Sequence, residues 1–153
     1  MSGNPQTSNL AEKEFYQMYY EHQYDRMKEL ENQRLIMTNV IVGMSVIAFS
    51  LAFEDITKLN LINGVGLPVI VVIANLIALM FNKRSRAYIK MHQKRAHKVL
   101  EIIAPEIENL DKSIPKPFNS DKDFFGRPRL QSYLHLLLIL SSLLPIIFYY
   151  LQP

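Results

Sequence analysis

The chain has 153 residues, a length suited to one domain, and carries a formal net charge of +3 with no cysteine. Disulfides and thiolate metal sites are thereby excluded, and so mild a charge does not by itself point to nucleic acid. Of its residues 49% are hydrophobic, concentrated in three blocks without Lys, Arg, Asp or Glu, which excludes a disordered chain and an ordinary soluble domain.

Residues 1–8 are expected as a flexible N-terminus. Residues 9–34 contain no Gly or Pro and many good helix formers. At 100° per residue, Phe15, Tyr16, Tyr19, Tyr20, Met27 and Leu30 fall on one side. Glu14, Glu21, Asp25, Lys28 and Glu29 fall on the other, which predicts an amphipathic helix with an acidic-leaning face.

The three apolar blocks are Leu35–Phe53, Leu61–Phe81 and Tyr133–Leu151, with 19, 21 and 19 residues. Crossing a hydrocarbon core of about 30 Å takes about 20 helical residues. Backbone polar groups in lipid must be satisfied within their own segment, so each block is expected to be a helix. The first block follows a long charged segment and lacks a cleavage pattern, unlike a signal peptide. Ser2 stands where myristoylation needs Gly.

These blocks predict a first span over 35–53, an outer loop over 54–60 and a second span over 61–81. A basic helix over 82–103 and a Pro/Phe-rich linker over 104–129 follow, then a third membrane helix over 130–151. Segment 82–98 holds Lys83, Arg84, Arg86, Lys90, Lys94, Arg95 and Lys98 without an acid, whereas the 54–60 loop holds Lys58 alone. The basic bias places the N-terminus and the 82–129 region in the cytoplasm. The C-terminal helix either crosses, sending the C-terminus out, or lies in the interface or against the bundle. The expected fold is therefore an all-α membrane protein. A long helical hairpin spans the bilayer and carries a cytoplasmic two-helix stalk, and a third C-terminal membrane helix is added.

Chemistry-bearing residues are few. Thr38 and Asn39 in the first span and Asn75 in the second are polar side chains in an apolar setting. They read as interhelical or intersubunit bonds, or as the polar lining of a pore. Arg86, Lys90, Lys94 and Lys98 share one arc and form a basic cytoplasmic surface, suited to anionic lipid, a protein partner or a nucleotide or nucleic-acid signal. His92 lies on the opposite, apolar arc, as a satisfied interior histidine or a pH-sensitive group. Pro145 cannot donate to the carbonyl of Ser141, which predicts a helix kink there. Phe118, Phe124 and Phe125 are candidate interfacial anchors in the linker. No zinc-binding HExxH, P-loop, nucleophile elbow or calcium loop is present in the sequence, so no cofactor or metal is expected.

The order EFYQMYYEHQYDRM, span, short loop, span, KRSRAYIKMHQKRAHKVLE, SIPKPFNSDKDFF and LQSYLHLLLILSSLLPIIFYYL resembles a known arrangement. It is similar to the small bacterial membrane proteins of the RipA-like octameric family and to the membrane accessory proteins of type VI CRISPR systems. The two-span SLATT effectors share the helix–hairpin layout. The first resemblance implies a ring-shaped homo-oligomer, possible as an octamer, in a bacterial inner membrane, with a role in stress tolerance or phage defence. The expected function is thus non-enzymatic pore formation or membrane perturbation. The alternative is an anchor or scaffold for a cytoplasmic enzyme. A third reading takes Arg86 and His92 as an Arg-x(4–6)-His element like that of HEPN ribonucleases, although the two lie about 120° apart on one helix.

Overall fold

Long uninterrupted helices follow directly from the absence of breakers, and the computed structural model shows them. It describes residues 5–54, 59–113 and 127–152, with side chains placed for nearly all of these from residue 12 onward. The expectations for residues 1–4, for 55–58 of the outer loop and for 114–126 of the linker, including Phe118, Phe124 and Phe125, lie outside the described residues.

Helix α1 runs Pro5–Phe53, α2 Leu67–Ile103, α3 Pro105–Ser113 and α4 Arg127–Leu151; among the described residues there is no strand. Three stretches, Glu12–Phe53, Ile62–Ile103 and Arg129–Leu151, are long and apolar enough to cross a membrane. Segment 9–34 and the first span over 35–53, which no breaker separates in the sequence, lie in one helix, and the second span likewise runs on into the basic segment up to Pro105.

A π-turn, Ile62–Gly66, leads into α2. Oδ1 of Asn60 accepts from the amides of Ile62 and Asn63, both at 2.9 Å, and caps the orphan donors of this helix start. Pro68 follows immediately. A proline ring clashes with the carbonyl four residues back in a regular α-turn, and the wider π-turn moves that carbonyl aside.

Part of the predicted linker is helical. Pro105 occupies the first position of α3, where its fixed φ and missing N–H suit a helix start. Glu106 and Glu108 in the first turn and Lys112 in the last complement the helix dipole. Pro145 lies inside α4, which continues through it.

The chain divides into two compact units. The charged unit comprises Met1–Asn32 and Ser85–Asn119. Its buried positions include Gln23 and Met27 on α1 and Ser85, Ile89, Ala96 and Val99 on α2. Ser85 donates to the carbonyl of Leu30 at 3.3 Å. Phe15, expected on the apolar face, is 57% exposed, because the inward stripe is centred on Gln23 and Met27 and passes beside it.

The apolar unit comprises Gln33–Arg84 and Ser120–Pro153. Its inward positions are spaced by three and four residues, the seven-residue register of closely packed helices. They are Thr38, Ile41, Ser45 and Ala52 on α1, and Pro68, Val71, Asn75, Ala78 and Asn82 on α2. His135, Leu138, Ser142 and Pro145 continue the pattern on α4. Small and polar side chains dominate this interior, while Ile36, Ile47, Ile70, Met80, Leu137 and Leu140 point outward, each more than half exposed. Gly64 sits under Tyr149 so closely that a Cβ there would lie 2.8 Å from the tyrosine Cβ.

Candidate functional site

Within the apolar unit, the inward stripes of three helices bring Ser45, Asn75 and His135 into one hydrogen-bonded chain. Ser45 lies one turn after Ile41 on α1, and its hydroxyl donates to the Ile41 carbonyl at 2.8 Å. Nδ2 of Asn75 donates to Oγ of Ser45 at 3.0 Å and to the carbonyl of Val71 at 2.9 Å. Oδ1 of Asn75 lies 2.7 Å from Nδ1 of His135. Asn75 and His135 are both 0% exposed, so these bonds replace all their contacts with solvent. In an apolar interior a polar group left unpaired costs about 1–3 kcal/mol, which makes such a chain a strong constraint on which helix faces meet.

Other buried polar atoms of this unit lack partners. Oγ1 of Thr38, Nδ2 of Asn82, Oε1 of Gln131 and Nε2 of His135 are buried without a hydrogen-bond partner among the described residues. Farther along α4, Ser142 is fully buried and donates to the carbonyl of Ile139 at 2.7 Å.

The residues singled out from sequence therefore separate. Thr38 and Asn75 face the interior, whereas Asn39 is exposed, so Asn39 and Asn75 do not share one surface. Asn75 finds its partners inside its own chain. Next to Pro145 it is Ser142, and not Ser141, that is fully buried. Sequence reasoning missed Ser45, Asn82, Gln131 and His135 as members of the site. The signal was present: all fall at spacings of three, four or seven residues from Thr38, Asn75 or Leu138.

In the charged unit, Lys90, Lys94, Arg95 and Lys98 line a groove of about 410 Å³ floored by Ala87 and Met91. Arg86 lies outside that lining and is half-buried. Nδ1 of His92 is 2.7 Å from Oε1 of Gln23. Partial burial holds the His92 pKa below its ordinary value, and the charges of Arg95, Arg26 and His22 push the same way. Polar contacts of Glu108 and Lys112 tie α3 to α2. Glu108, with only 4% of its side chain exposed, meets His97 and Lys112, both at 3.2 Å, and Lys112 also meets Glu101 at 3.0 Å. The hydrogen bond from His97 is the main reason that the Glu108 carboxyl lies below the usual range, with Lys112 adding to it against the opposing effect of burial. Bonds to Glu101 and Glu108 raise the Lys112 pKa.

These arrangements offer hydrogen bonds, a buried imidazole and a cationic groove. No protein-family model, curated protein or solved structure matches this chain.

Proposed function

We propose that the chain is a homo-oligomeric protein of a bacterial inner membrane whose assembled spans perturb or open the bilayer, in the setting of stress or phage defence. The observation that carries this reading is the inverted distribution of side chains in the apolar unit. Its interior is small and polar, and its exterior is Ile, Val, Leu and Met. Water would oppose such a surface, whereas hydrocarbon accepts it and leaves close packing and hydrogen bonds to hold the helices together.

The topology follows from the charges. The basic run 83–98 and the N-terminal helix lie in the cytoplasm, and the residues joining α1 to α2 lie outside. An antiparallel α1–α2 hairpin is supported by the hydrogen bonds Leu30–Ser85 and Gln23–His92, which descend α1 while they ascend α2.

Two surfaces suit self-association. Asn39, Gly43, Val46 and Ser50 form an exposed stripe on α1. A Cβ at Gly43 would meet nothing within 4 Å, so a neighbouring helix can approach closely there. In the charged unit, exposed Glu14, Glu21 and Asp25 on α1 are opposite in sign to the basic groove of α2, which suits contact between copies.

The mass of the particle extracted in detergent or nanodiscs, together with ion leak from liposomes, tests the proposal. A multimer that releases entrapped ions is expected; a monomer would end the reading. The same groove supports a second reading, an anchor for an acidic cytoplasmic partner, which predicts stable complex formation without leak.

A further inference from the structure

The tautomer of His135 is fixed by its neighbours. The carbonyl of Val71 only accepts, so the group of Asn75 that faces it must be the donor Nδ2. Ser45 gives its hydroxyl proton to Ile41 and accepts from the same Nδ2. Oδ1 of Asn75 is thereby turned to His135, and this acceptor requires the proton on Nδ1. Nε2 of the neutral ring is then an unprotonated acceptor, buried and without a partner among the described residues.

The other partnerless atoms complement it. Gln131 stands one turn before His135 on the same face of α4 and offers a second acceptor, Oε1. Thr38 and Asn82 lie seven residues from Ser45 and Asn75, in opposite chain directions. In the antiparallel hairpin proposed above they share one level, about 10 Å from the Ser45–Asn75 bond. Two contacts order α4 against the π-turn and α2: Tyr149 lies at Gly64 and His135 at Asn75. Gln131 is thus displaced from His135 toward the Thr38–Asn82 level. That level supplies a donor amide and a hydroxyl to face the two acceptors. A metal cation is disfavoured by the Asn82 Nδ2, and an anion by the two acceptors. Water, with two donor and two acceptor sites per molecule, complements all four atoms chemically, more than one molecule being needed to bridge the two levels.

We infer that Thr38, Asn82 and Gln131 hold buried water that reaches Nε2 of His135 and exchanges protons with it. In the forward step a hydronium O–H bond breaks and an Nε2–H bond forms. Water is released, and the Nδ1 proton stays on its bond to Asn75. The reverse step returns the Nε2 proton to water. The charged group on the inward stripe of α1 is Arg34, one turn before Thr38. The inward positions of α2 and α4 contribute Asn75, Asn82, Gln131 and Ser142, none of them titratable. The site lies within one subunit, so it goes beyond the proposed ring and does not depend on it.

Nitrogen NMR of the histidine-labelled full chain in lipid nanodiscs tests the inference, with the His135 signals identified by their loss in His135→Gln. At neutral pH the expected result is a protonated Nδ1, an unprotonated Nε2 and magnetisation transfer from water to the ring. Gln131→Leu, and separately the near-isosteric Thr38→Val, should cut that transfer severalfold while Nδ1 stays protonated. An Nε2–H tautomer, or a wild-type ring that receives nothing from water, overturns the inference. Variants with unaltered transfer do the same. Particle mass measured in parallel reports on the ring independently.

Discussion

A Cβ placed on Gly64 would stand 2.8 Å from the Cβ of Tyr149 and 3.0 Å from its Cγ. The obstructing atoms are the rigid base of the tyrosine side chain, which cannot swing away. Gly64→Ala should therefore push α4 off the start of α2, at a cost of about 1–3 kcal/mol as for other overpacked positions. Unfolding of the lipid-reconstituted protein measures this loss, and unchanged stability would mean that the close approach is not kept in the bilayer.

Gly43 provides the contrasting case, because nothing in its own chain lies within 4 Å of an added Cβ. If copies associate through the α1 stripe as proposed, Gly43→Ile should leave the folded subunit intact and lower the fraction of assembled particles. Native mass spectrometry after extraction separates the two quantities. Full assembly in this variant would remove the α1 stripe from the interface.

Asn75 and His135 should behave as a coupled pair. Asn75→Leu leaves the Nδ1 proton of His135 without an acceptor, and His135→Phe leaves Oδ1 of Asn75 without a donor. Each single change is expected to cost about 1–3 kcal/mol, and the double change less than their sum. Interhelical bonds in membranes couple by about 0.6 kcal/mol on average and at most about 1.7. A double-mutant cycle on unfolding free energy reads this term, and zero coupling would contradict the bond.

Docking of α3 should respond to acid in a defined window. The folded-state pKa of Glu108 is lowered from 4.5, chiefly by His97. Its stabilising contribution is present above 4.5 and is lost as the pH falls through the lowered value. Amide exchange in α3 should therefore accelerate below that point, and Glu108→Gln should weaken protection at neutral pH while flattening the acid response.

His92 acts at milder pH. Its pKa is lowered from 6.5, first by burial and then by Arg95, Arg26 and His22. The folded charged unit favours the neutral ring, so this contribution is present above 6.5 and is lost as the pH drops through the lowered value. Thermal unfolding at pH 7.5 and at pH 5.5 should differ more in the wild type than in His92→Gln.

The long helices were readable because their cause is local. Residues 35–53, 61–81 and 133–151 carry no charge, and no breaker interrupts 9–34. The polar chain was not readable in this way, because Asn75 and His135 are 60 residues apart and meet only after three helices pack. A search for Lys, Arg, Asp and Glu also passes over histidine, the one titratable group in the chain Ser45–Asn75–His135. Pro105 misled for a different reason. It reads as punctuation in a linker, yet the first position of a helix is where proline is at home, and α3 begins there. The separation of Asn39 from Asn75 depended on the phase of each helix, which adjacent polar residues such as Thr38 and Asn39 leave open by about 100°.

Exposed Asn39 carries an amide with two donors and an acceptor oxygen onto a face it shares with Ile36 and Val40. In hydrocarbon, the satisfaction of that amide becomes a question of two-dimensional density. Under the proposed membrane assembly, the side chain would meet only acyl tails at low copy number and another copy of the chain at high copy number. Expression level and bilayer area would then act on this chain as a ligand concentration acts on a receptor.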